Sequence, residues 1–125
     1  GRTLMHKELE LNTTIMHKLA SNITEFESIE YMDNRISKYT SQYGKCAILK
    51  TTLEYDEIHC HHKIPKYLGG TDKYENLIIL HKDIHKLIHA KGKDIINFYL
   101  RKYSLNKEQI DKVNKLRYQA ELQPI

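Results

Sequence analysis

Cysteine is nearly missing from this 125-residue chain, which has only Cys46 and Cys60. Two thiols exclude a disulfide scaffold and any four-cysteine zinc knuckle, and they suit a reducing compartment. Long apolar runs are missing as well. None approaches the ~20 residues that a membrane-crossing helix needs, and no charged-then-apolar leader opens the chain. A soluble, cytoplasmic protein without a membrane partner is therefore expected. Gly1 in place of Met suggests a processed chain or part of a longer one. Repeats and low-complexity stretches are also lacking. What remains is one modest domain, able to bury about two thirds of its unfolded surface without covalent staples.

The features that are present are concentrated. Lys and Arg exceed Asp and Glu by 20 to 16, a formal net charge of +4. Residues 59–93 hold seven lysines (Lys63, Lys66, Lys73, Lys82, Lys86, Lys91, Lys93) against Asp72, Glu75 and Asp83, while the other 90 residues carry 13 charges of each sign. The whole excess thus falls in 35 residues that also hold six of the eight histidines. A polyanion is the natural partner of such a surface, and a plain solvated face is the alternative.

Pattern and turn signals divide the chain into an N-terminal arm or linker from an upstream domain over 1–30, a core over 31–92 and a helical extension over 93–125. Asp33 is placed to cap a helix over 34–42, with Ile36, Tyr39 and Tyr43 at helical spacing and Gly44 as its stop. Residues 46–49 suit a short strand or the lip of a loop. A strand is expected over 57–62, then a loop over 63–73 marked by Pro65 and Gly69-Gly70, then a buried strand over 77–80. Helices follow over 82–90 and 94–103, and a last one starts at Ser104 or Asn106, burying Ile110, Val113, Ala120 and Leu116 or the Arg117 stem. The class is α+β.

Four histidines converge in this scheme. His85 and His89 lie four apart on one helix face, where two imidazoles can grip one cation. His61 and His62 end a strand, and adjacent strand residues leave on opposite faces or splay at the loop boundary. One of them can complete a three-imidazole site and the other can serve as a base beside it. Phosphodiester hydrolysis needs this division of labour: a divalent cation for the developing charge, and a neutral imidazole to take a proton from water. Asn76 heads the second strand, where its amide can tie down the loop and orient the base. His59 shares a strand face with His61, so it is either a supporting contact behind the ligands, a phosphate contact or plain packing. His6 and His17 read as surface residues, Asp72 and Asp83 as caps of a turn and a helix, and Cys60 as a small buried hydrophobe.

The ordered set His59-Cys60-His61-His62-Lys63-Ile64-Pro65, Gly69-Gly70-Thr71-Asp72, Glu75-Asn76-Leu77 and His85-Lys86-Leu87-Ile88-His89-Ala90 resembles an HNH endonuclease of ββα-metal fold. That fold is a short two-stranded antiparallel hairpin plus a helix, here with flanking helices. The resemblance implies that His62 is the general base, that His61, His85 and His89 are metal ligands, and that Asn76 is the central asparagine. With Tyr31 to Ser37 and Gly44-Lys45-Cys46-Ala47 added, residues 29–92 are similar to the C-terminal nuclease domain of group II intron-encoded reverse transcriptase/maturase proteins. That likeness implies double-stranded DNA as substrate, with intron RNA and a reverse transcriptase domain as partners in the parent protein. Many relatives carry two CxxC pairs for a structural zinc. Here the corresponding positions are Cys46 with Leu49 and His81 with Ile84. One thiol and one imidazole cannot close a tetrahedral site, so no structural zinc is expected, and an apolar substitute around Leu49 and Ile84 is.

Three imidazoles favour Zn²⁺ or Ni²⁺ in affinity, whereas the activating ion is expected to be Mg²⁺ or Mn²⁺. Lys63, Lys66, Lys73 and Lys86 are expected to position the DNA through phosphates without reading bases. The competing reading is a catalytically silent nucleic-acid-binding module that the metal only staples.

Overall fold

The computed structural model describes Ile15 and residues 28–125, so most of the N-terminal arm lies outside the described residues. Helix α1 spans Ile29–Ser41 and starts five residues earlier than Asp33 would allow. Ser28, in extended backbone, accepts the Tyr31 N–H at 2.9 Å, and Glu30 sits in the first turn, where the helix dipole favours an acid. Tyr39 is fully buried. Tyr43 does not join its face. It takes φ 57° beyond the helix end and is exposed, while the Gly44 N–H bonds back to the Tyr39 carbonyl at 3.0 Å.

Residues 46–49 form the lip of a loop, held by a bridge between Lys45 and Thr52 and by the Ala47 N–H, which donates to the Ile79 carbonyl at 3.1 Å. Strand β1 (Ile58–His62) pairs antiparallel with β2 (Leu77–His81), placing His61 opposite Ile78 and His59 opposite Leu80. The loop between them turns at Gly69, with φ 91°, and passes so close to itself at Gly70 that a Cβ there would sit 1.7 Å from the Ile64 carbonyl oxygen.

Helix α2 (Lys82–His89) follows β2 without a linker. His81 is its cap: Nδ1 accepts the Asp83 N–H at 3.0 Å, and Nε2 donates to Glu57 at 2.9 Å. Asp83 therefore does not cap the helix. Its side chain instead accepts from Lys102 and Tyr103 of α3 (Lys93–Tyr103). Helix α4 (Lys107–Gln119) opens with a reciprocal cap between Asn106 and Gln109.

One core unites these elements. Leu53, Ile79, Leu80, Ile84, Leu87, Ile88 and Val113 are each at most 1% exposed. Cys46 and Ile84 belong to it, and Leu49 packs against it, so these positions contribute apolar filling. Arg117 of α4 is only 3% exposed, and its Nη1 donates to the carbonyls of Leu87, Ile88 and Ala90 at 2.7–3.1 Å. The end of α2 is thus capped by a guanidinium from 27 to 30 residues away. Among the described residues no helix is long and apolar enough to cross a membrane.

Candidate active site

The helical spacing of His85 and His89 puts both on the α2 face that packs under β1, and strand alternation turns His61 toward them. The three rings form a triangle with centroids 4.9–5.1 Å apart. Their ligand-capable atoms all lie within 4.8 Å of one another. Exposure rises from buried His61 through His85 to His89, so the cluster opens to solvent at one end.

The donor set fits a cation. His61 Nε2 is buried and has no hydrogen-bond partner among the described residues, an arrangement that costs free energy unless something accepts its lone pair. Burial, then the charges of the neighbouring histidines, pushes His61 down to about 3 and His85 to about 4. Burial, and after it Arg117, lowers His89 as well. Near pH 7 the imidazoles are neutral, as metal ligation requires.

His59 reaches this cluster from the same strand face as His61. Its Nδ1 lies 2.8 Å from His85 Nδ1, which leaves Nε2 as the free nitrogen of His85. The sequence left His59 among a supporting contact, a phosphate contact and plain packing, and here it bonds to a member of the cluster.

His62 leaves the strand on the opposite face, toward α1. Its ring stacks on Tyr31, with centroids 5.2 Å apart and planes 14° from parallel. Its Nε2 lies 2.9 Å from Asp72 Oδ1, and Asp72 Oδ2 accepts from Lys66 at 3.0 Å and Ser28 at 2.8 Å. Burial would raise the Asp72 carboxyl, but the hydrogen bonds from His62, Lys66 and Ser28 outweigh it and hold the group below its usual range. An ionised carboxylate only accepts, so Nε2 carries the proton and Nδ1 the lone pair. The two strand faces are not isolated: a charge on His62 acts on both His61 and His85.

Asn76 works on the loop. Its Oδ1 accepts the Ile64 N–H at 2.9 Å, and its Nδ2 donates to the carbonyls of Ile64 and Thr71 at 3.1 and 2.8 Å. Its own carbonyl accepts the Lys63 N–H at 2.7 Å. The loop-tying expected of it is observed. The groups that touch the His62 ring, however, are Tyr31 and Asp72, which the sequence reading did not assign to the site. Asp72 was legible as a turn residue ten positions from His62, but its aim depends on the fold of the loop.

This geometry is a hairpin and helix presenting three imidazoles, with a fourth held by a carboxylate one residue along. The HNH endonuclease family matches residues 45–91. Those residues are an HNH endonuclease domain. Its observed hairpin and helix agree with the ββα-metal fold. Members of the family are nucleases that bind a divalent metal and act on DNA. No curated protein and no solved structure matches the chain. Of the lysines expected to position DNA, Lys73 and Lys86 are exposed on the HNH domain and Lys66 is 62% exposed while paired with Asp72. Lys63 is half-buried, and burial, followed by Lys38 and Lys115, lowers its ammonium.

Proposed function

We propose that the chain is a metal-dependent DNA endonuclease that hydrolyses a phosphodiester bond to 5′-phosphate and 3′-hydroxyl ends, as the DNA-cutting part of a group II intron-encoded protein. The observation that carries this reading is the pairing of a convergent His61, His85 and His89 cluster with a separate, carboxylate-held His62. His61, His85 and His89 would hold a divalent cation, which would supply neutralisation of the charge that develops on the phosphate.

The chain's own residues do the rest. His62, protonated at Nε2 by its bond to Asp72, takes the proton of the attacking water at Nδ1. Tyr31 and Asp72 restrict the ring's rotation, so little orientational freedom is lost on reaching the transition state. Asn76 positions the loop, and Lys66, Lys73 and Lys86 hold phosphates. The intron reading rests on the likeness over residues 29–92. It assigns target recognition to intron RNA and a reverse transcriptase domain.

The test is nicking of supercoiled plasmid with Mg²⁺ or Mn²⁺ against a chelated control. His62→Ala should lower the rate by about 10²- to 10⁴-fold while calorimetry still detects metal binding. His85→Ala and His89→Ala should lose the metal first. Full nicking by His62→Ala would remove it as the base. Metal and DNA binding by the wild type without any nicking would favour the silent module.

A further inference from the structure

Helix α4 lies beyond the HNH match, yet it faces the same loop that follows His62. Lys112 and Lys115 stand three apart on one side of α4, and Lys63 approaches from the loop. The three line a cavity of about 270 Å³ floored by Ile48, Ile78 and Leu116. Among the described residues neither Lys63 nor Lys115 has an acidic partner, and Lys112 has only a 3.8 Å approach to exposed Glu108. Three ammoniums around one cavity repel one another, so their positive charge is left unbalanced there. Their stems cover the apolar floor while their heads stay available to an anion.

The cavity continues. Gln119 lines it together with a second cavity of about 300 Å³ bounded by Ile64, Gly70 and Asn76. The Gln119 Oε1 is buried and has no hydrogen-bond partner among the described residues. The seam therefore runs from the loop that Asn76 ties down, two residues past His62, along α4.

We propose that this seam holds the sugar-phosphate backbone of the DNA flanking the cut, with phosphates on Lys63, Lys112 and Lys115. The assignment rests on the nuclease reading for the identity of its polyanion, and its charge complementarity is independent of whether the site cuts. Lysine contacts of this kind set position and carry no base readout.

The test measures affinity for a labelled duplex by fluorescence anisotropy, using metal-loaded protein in a His62→Ala background so that the duplex stays intact. Each lost phosphate contact should flatten the dependence of log affinity on log salt by ~0.9. Lys112→Gln/Lys115→Gln should therefore reduce the slope by about 1.8, so that from about 50 to about 200 mM salt the parent loses about 12-fold more affinity than the variant. Arg101→Gln/Lys107→Gln, equal in charge change at exposed positions outside the seam, should leave the slope near that of the parent. An unchanged slope for the seam variant, or an equal flattening by the control pair, would overturn the proposal. If the wild type never nicks but the seam variant flattens the slope, the nuclease reading fails and the seam stands.

Discussion

Asp72 decides which nitrogen of His62 is free, and its carboxylate is shared among an imidazole, an ammonium and a hydroxyl. Its folded-state proton affinity is below that of an unfolded aspartate, so in acid the unfolded chain binds more protons. The stability this network contributes is present above the usual carboxylate range and is lost as pH falls through the folded value. Wild type should therefore exceed Asp72→Asn in urea stability at pH 7, and the gap should close from about pH 5 downward. Unfolding curves with a chelator present would measure it. A gap independent of pH would show that the carboxylate charge contributes nothing. The sequence offered Asp72 as a turn cap because its spacing from His62 carries no directional information. His85 and His89 were legible as a pair because helical period gives direction without tertiary knowledge, whereas alternation left His61 and His62 as alternatives and the family resemblance chose His61.

At the scale of elements, both strands and helices α2 and α3 fall within one or two residues of their expected places. Apolar runs bounded by Gly, Pro and Asn are local signals that the backbone obeys. The loop between the strands is different, because its shape depends on side chains returning to backbone. Gly70 illustrates this: a Cβ would meet the Ile64 carbonyl at 1.7 Å, whereas one at Gly69 would meet nothing within 4 Å. Gly70→Ala should displace the segment that Asn76 ties and cost about 3 kcal/mol, with a marked loss of nicking. Gly69→Ala should cost about 1 kcal/mol, the penalty of placing a Cβ at φ 91°. Thermal melts of the two variants would check the order, and equal destabilisation would contradict the close approach.

For the molecule as a whole, Arg117 joins the C-terminal helix to the metal-ligand helix. Replacing it with Met keeps much of the apolar stem but removes the guanidinium donor from the carbonyls of Leu87, Ile88 and Ala90, of which only Leu87 keeps the Ala90 N–H. The expected cost is about 3 kcal/mol. Because His89 ends α2, metal affinity should fall with it. Calorimetric titration and urea unfolding of Arg117→Met would measure both. A wild-type metal affinity in that variant would separate the helix end from the site.

Periodicities of two or 3.6 residues along neighbouring stretches of chain specified the ββα order, most of the core faces and the pairing of His85 with His89 on one helix face, while the choice of His61 over His62 as their partner came from the family resemblance. Tertiary structure alone decided that Ser28, Tyr31 and Asp72 meet around His62, that Arg117 closes α2, and that Lys112 and Lys115 face Lys63. These groups meet across 10 to 52 residues of sequence, and no local period specifies which distant side chain fills a given direction. Packing against one shared core brings α1 and α4 up to the hairpin, and that packing sets the partners.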